Sequence, residues 1–207
     1  MTTWLRRNRW GLVALPVTVA LTIGANAQRL HDYWWDADLR NPAVSGRQGD
    51  WTAWSDSFTD AAGEGTRTFQ VRVTAVEPTG TAEPTGEQEA LKLPSDLAAM
   101  RVTMDFQAAP DQVLFGCRMA LLDRDGNRYV YRPMIGGVMQ TMFPCLQENL
   151  TGPQPSITAG EPRVALYGEK RPPQWTTRPV VLVPRTADIT QVLLWWEQPD
   201  YLAVQVD

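Results

Sequence analysis

The chain holds one histidine, His31, and two cysteines in 207 residues. A Ser-His-Asp or Cys-His arrangement would have to use His31, which lies just past an N-terminal apolar run rather than in the body of the chain. Nucleophilic catalysis of these kinds is therefore not expected. Zinc takes three or four Cys, His or carboxylate ligands, and this composition does not supply an ordinary set. No catalytic residue, metal ligand or cofactor is assigned from the sequence. Acids are missing from the first 28 residues, which carry Arg6, Arg7 and Arg9. The remainder has 16 basic and 23 acidic residues, a net charge of −7. Binding a polyanion needs a basic surface, so nucleic acid is not an expected partner. No cysteine follows directly on the apolar run, which excludes a lipoprotein anchor. No internal repeat is visible.

What is present begins with that run. Trp10 to Ala27 contains eighteen residues without a charge. As a helix it would be roughly 27 Å long, close to the thickness of a hydrocarbon core. The arginines on its N-terminal side would stay in the cytoplasm, so the chain after Ala27 is exported. Two fates are open. Ala25-Asn26-Ala27 fits a signal-peptidase site, after a basic region and a short apolar one. Against cleavage stand Pro16 and Gly24, which membrane helices tolerate, and the aromatics. Trp10 at one end and Tyr33, Trp34 and Trp35 at the other lie where a bilayer places its interfacial belts. The expectation is a retained anchor, with secretion after cleavage at Ala27 as the alternative. It divides the chain into a cytoplasmic tail (1–9), a transmembrane helix (10–27), a juxtamembrane stalk (28–50) and an extracytoplasmic domain (51–207). The stalk would begin as a helix over residues 30–39.

Beyond the stalk, prolines and glycines cluster at short intervals, and apolar residues alternate with polar ones. Phe69, Val71 and Val73 share one face of a strand, with a bulge permitted at Ala75-Val76. Residues 78–90 read as a solvated loop, too polar to join a core. Met100, Val102, Met104 and Phe106 mark a second strand, and residues 113–123 a third. A turn at Asp125-Gly126 leads to a strand with Tyr129 and Tyr131. The segment 133–178 reads as loops, with short strands near Arg163 to Tyr167. Strands over 179–184, 189–198 and 201–206 close the chain. The pattern predicts an all-β fold, an immunoglobulin-like β-sandwich preceded by one N-terminal transmembrane helix.

Cys117 and Cys145 both fall on the exported side, where a lone pair reads as a disulfide. It would close a loop of about 29 residues, worth roughly 3–4 kcal/mol. "DRDGN", Asp123 to Asn127, lacks the spacing of an EF-hand and reads as a hairpin turn. Asp105, Asp111, Asp123 and Asp125 would act as acid and base only if folding paired two of them in a cleft. Nine tryptophans are many. Trp195 and Trp196 are adjacent, so in a strand they face opposite ways. One of them, or Trp175, is the expected contact for a partner. Asn149-Leu150-Thr151 fits a glycosylation sequon.

"FQVRVTAVEP", "MRVTMDFQA", "MALLDRDGNRYVYRP" and the closing "VVLVP … YLAVQV" resemble the telokin-like, immunoglobulin-like domains of bacterial lipoproteins and membrane-anchored proteins. The resemblance implies an extracytoplasmic binding or accessory domain without a catalytic residue set. The resulting expectation is a non-catalytic domain that contacts a protein, peptide or envelope component near the membrane. The alternatives are an envelope hydrolase using carboxylates, or a small subunit of a membrane complex.

Overall fold

The computed structural model describes residues 2–30, 38–83, 88–164 and 170–206. The chain opens with two helices, α1 (Thr2–Arg7) and α2 (Arg9–Leu30). The Asn8 N–H donates to Trp4 O and the Leu12 N–H to Asn8 O, so the hydrogen-bond ladder runs through the junction. Within α2, the polar side chains turn back onto their own helix. Thr18 Oγ1 donates to Ala14 O at 2.7 Å, Thr22 Oγ1 to Thr18 O at 2.8 Å and Asn26 Nδ2 to Thr22 O at 2.8 Å. Their donors are thereby satisfied without water, as an apolar solvent requires. Residues 9–27 are long and apolar enough to cross a membrane, and none of that span is buried against the protein.

Fourteen strands follow among the described residues: β1 (Asn41–Arg47), β2 (Thr52–Asp60), β3 (Gly63–Thr79), β4 (Thr81–Ala82), β5 (Glu89–Ala90), β6 (Leu97–Gln107), β7 (Arg118–Asp123), β8 (Arg128–Val130), β9 (Met134–Ile135), β10 (Val138–Met139), β11 (Gln174–Thr177), β12 (Val180–Pro184), β13 (Ile189–Trp195) and β14 (Asp200–Gln205). One sheet has the order β1-β14-β13-β7-β8. The other has the order β11-β6-β3-β2, with β12 also pairing β6. Two hairpins, β4–β5 and β9–β10, stand outside them. The architecture is the expected β-sandwich with one apolar N-terminal helix.

The alternation seen in the sequence sets the core. Phe69, Val71 and Val73 of β3 and Val102, Met104 and Phe106 of β6 point inward and are buried. From the facing sheet come Met119, Leu121, Val192, Leu194, Leu202 and Val204. Each such side chain contributes roughly 1.5–3 kcal/mol by leaving water. The β3–β6 register shifts between Val73 and Ala75, one residue from the expected bulge. The hairpin turn after β7 is also where the sequence places it. Gly126 supplies φ +85°, and Asp123 accepts from the Asp125 and Asn127 backbone N–H groups.

Three expectations are corrected. Residues 41–47, expected in the stalk, belong to the sandwich, because β1 pairs in parallel with β14. Its polar sequence, with Pro42 and Gly46, conceals a strand whose partner lies more than 150 residues away. The segment 78–90 is not wholly solvated. Ala82 is fully buried with Ala99, Ile135, Val138 and Val180, in a cluster on the outer face of the second sheet. Finally, the segment 133–178 is not only loop. It contains the β9–β10 hairpin and the edge strand β11. The short strands expected near residues 163–167 and the helix expected over 30–39 lie largely outside the described residues.

Cys117 and Cys145 are disulfide-bonded and both sit in the main core. The bond ties the start of β7 to the excursion that covers the sandwich flank. Replacing both by serine is expected to lower stability in urea by about 3 kcal/mol, from the closed-loop length. Equilibrium unfolding of the double variant beside the parent measures it. An unchanged midpoint would show that the flank is held without the bond.

Candidate functional site

None of the three tryptophans named as partner contacts is free to make one. Trp175, Trp195 and Trp196 retain 6%, 4% and 6% of their exposure. Trp175 stacks on Phe106 with ring centroids 5.4 Å apart, and the Arg171 guanidinium lies 4.6 Å from its centroid. Its Nε1 donates to Cys145 O at 2.8 Å. Trp196 sits in the main core against Phe69 and Trp54, with centroids at 4.9 and 5.6 Å. Its Nε1 donates to Leu114 O. Trp195 does face the other way, as alternation demands. It packs on the outer face of the first sheet with Leu39, Ala120, Leu193 and Ala203. Leu39 comes from the segment that leads out of α2, so part of the chain itself occupies that face. Trp10 is 74% exposed. His31, Tyr33, Trp34 and Trp35 lie outside the described residues.

Of the four acids singled out in the sequence, Asp123 and Asp125 share one turn in the first sheet and Asp105 is on a strand of the second. Asp105 lies on the outer face of the second sheet, where it accepts from Arg72 Nη2 and Thr176 Oγ1, each at 2.8 Å. Asp123 is consumed by its turn, accepting also from Asn127 Nδ2 and the Tyr129 hydroxyl. Those hydrogen bonds hold its carboxyl below the ordinary value. Two other carboxylates, Asp56 and Glu197, do converge, but on a cation. Arg67 Nε lies 3.3 Å from Asp56 Oδ2, and its Nη2 lies 3.4 Å from Glu197 Oε1. Burial pushes the Asp56 carboxyl up and the Arg67 guanidinium down, each opposed by the charge of the other. With a guanidinium between them, the two carboxylates are bridged as an ion-pair cluster and are not set as acid and base across a reacting group. Among the described residues, no group of three or more His, Cys, Asp or Glu is arranged to hold a metal ion.

A concave surface does form at the edge of the second sheet. Strands β11 and β12 are one edge interrupted at Arg178-Pro179. Loop side chains cover the edge on either side of the break. Gln140 Nε2 donates to Val180 O at 3.0 Å, and its Oε1 accepts from the Val180 N–H at 2.8 Å. One amide side chain thus stands in for a neighbouring strand, a common need at sheet edges. At the break itself a cleft of about 490 Å³ opens. It is lined by amides and hydroxyls, among them Gln147, Asn149, Thr141 and Thr176, and by Leu146, Leu150 and Pro179, with Arg178 and Glu83 also present. Glu83 lies 3.6 Å from Arg178 and 3.9 Å from Arg101, and Glu148 also lines the cleft. Thr177 also lines the cleft, and its buried Oγ1 has no hydrogen-bond partner. This set offers both hydrogen-bonding groups and apolar side chains to a ligand. Composition gave no sign of it, because its residues come from four separate stretches of chain.

No protein-family model matches the chain, and no match was found among curated proteins. Among solved structures it is similar to an uncharacterized β-sandwich protein from Clostridium difficile 630. The identity is 11%, the TM-score is 0.37, and the match covers 81% of this chain and 95% of that one. The sandwich class therefore stands on the strand pairing described above.

Away from the cleft, one carboxylate fastens the far end of the β2–β3 hairpin. Asp60 accepts from Arg163 Nε at 2.8 Å and Nη2 at 2.9 Å, and from the backbone N–H groups of Ala62 and Ser156 at 2.9 Å each. The Arg163 bonds first, then the backbone donors, lower its carboxyl from 3.8 to about 2. A carboxyl depressed in the folded state stabilises fully above its unfolded value, and that contribution is lost as pH falls through the folded one. The parent is therefore expected to be more stable than Asp60→Asn above pH 4, with the gap closing between pH 4 and about 2. Urea midpoints of the two proteins across that range decide it. A gap that stays constant would show that the charge on Asp60 is not what holds the hairpin.

Proposed function

We propose that this chain is a single-pass membrane protein whose β-sandwich stands outside the cytoplasm as a non-catalytic binding or accessory domain. The observation that carries the reading is α2. A soluble protein would lose stability by leaving residues 9–27 in water, and none of the described residues covers them. A bilayer would cover them, and the internal bonds of Thr18, Thr22 and Asn26 remove the cost of placing their polar groups there. Arg6, Arg7 and Arg9 form the basic flank expected of a cytoplasmic N-terminus. The Cys117–Cys145 bond suits the oxidising side of the membrane. The resemblance to telokin-like domains of bacterial membrane-anchored proteins points the same way. The cleft at the Arg178-Pro179 break is the proposed contact for a peptide or envelope component.

Cells expressing the full chain test the topology. The protein is expected to stay in the membrane pellet after alkaline extraction. Protease added outside the cytoplasmic membrane should then degrade the sandwich. Recovery of the sandwich from the medium, or its protection from external protease, would overturn the reading.

A further inference from the structure

The strand edge at the cleft has an open backbone, and two hydrogen bonds fix which groups point outward. The Ala108 N–H donates to Pro173 O and the Val102 N–H to Pro179 O, so both prolines turn their carbonyls toward β6. The register with β6 runs on without a shift from β11 into β12, with Thr177 opposite Met104 and Val180 opposite Arg101. Alternation then turns the backbone groups of Trp175 and Thr177 toward β6, and those of Gln174, Thr176, Arg178 and Val180 away from it. The Gln140 amide meets both groups of Val180. Thr176 and Arg178 line the cleft, and no other strand pairs β11 on that side. Among the described residues, the partner to their outward groups is Gln147 Nε2, 3.5 Å from Thr176 O, at the outer limit of a hydrogen bond. The Thr176 N–H and both Arg178 groups have none there.

A side chain in the same place is also unpaired. Thr177 is 7% exposed and lines the cleft, and its Oγ1 is buried without a hydrogen bond. A buried hydroxyl left without a partner costs stability. In a neighbouring strand, the residue directly opposite Thr177 would put its side chain on the same sheet face, within reach of that hydroxyl. One occupant thus satisfies both the open backbone and the unpaired side chain. Gln140 shows its direction, since it meets the N–H and the carbonyl of one residue as the opposite residue of an antiparallel strand does.

We propose that the cleft takes an extended peptide, which joins the second sheet as an antiparallel strand beside Gln174–Arg178. The inference rests on the binding reading above and names the chemistry of the partner. Thr176 and Arg178 each exchange two hydrogen bonds with alternate residues of the peptide. The residue between those two carries a hydroxyl or amide that bonds Thr177 Oγ1. Gln140 ends the added strand by holding Val180. A saccharide would not repeat a donor and an acceptor every two residues of the edge, roughly 6.8 Å apart. Main-chain pairing supplies affinity in this mode, and the side chain at Thr177 supplies selection.

The full chain in detergent micelles is panned with a phage library of linear dodecapeptides, and the tightest binder is synthesised with acetyl and amide ends. Hydrogen exchange is expected to show that it protects residues 174–178. Methylating its backbone nitrogens one at a time should weaken binding roughly tenfold at every second position of the bound segment, with little effect between. Thr177→Val should keep the melting temperature and weaken the binder roughly fivefold. Unchanged affinity of that variant would overturn the role given to Thr177. A binder that protects the cleft without alternation along its nitrogens would overturn strand addition and leave the cleft standing as a binding site. No binder, or protection elsewhere, would overturn the peptide and the cleft together, whereas the membrane topology is decided by the protease experiment alone.

Discussion

Trp196 is the residue on which the sandwich closes. It touches Trp54 and Phe69 of the opposite sheet and donates its indole N–H to Leu114 O. The Arg67 guanidinium lies 5.3 Å from its ring, drawing the Asp56–Arg67–Glu197 cluster over the end of the core. A strand gives adjacent residues opposite faces. With Trp196 turned inward, Trp195 must turn outward. The outer face of the first sheet is thereby apolar, and Leu39 packs onto it. The core and the seat for the chain leaving α2 are therefore set by one pair of neighbouring tryptophans.

The open edges of the second sheet show a related economy. β12 has no further strand beside it, and the Gln140 amide supplies the missing donor and acceptor for Val180. The same excursion buries Ile135 and Val138 against Ala82, Ala99 and Val180. Beyond it, Arg171 is 1% exposed and has two carbonyls, Ala109 O and Thr151 O, as acceptors. Burial pulls its guanidinium down to about 10, which still leaves it charged at neutral pH. Gly152 passes so close that a Cβ would stand 3.0 Å from Arg171 Nη1. These loops look irregular in sequence, but side chains that replace backbone partners fix them in place.

The parts of this fold legible in the sequence are those with local period. β3, β6, β7, β13 and β14 announce themselves by alternation, and the Asp125-Gly126 turn by its chemistry. α2 is legible as an uncharged run. β1 is not, because its partner is the last strand and its own residues are mostly polar. β11 is hidden too, since four residues beside two prolines carry no periodic signal. The cysteine pairing was legible because there were only two. For the tryptophans, the sequence showed that Trp195 and Trp196 must part, but not that Leu39 would pack against the outward one. The cleft was invisible for the same reason as β1: sequence order says little about which loops meet at a sheet edge.

Whether α2 is retained decides the place and role proposed for the sandwich. The Ala25-Asn26-Ala27 site and the helix that runs on through it to Leu30 imply different mature proteins. The most direct measurement is the intact mass of the protein purified from the membrane fraction of its native host. A retained anchor gives a mass that includes residues 1–27. A mass beginning at Gln28 would contradict it.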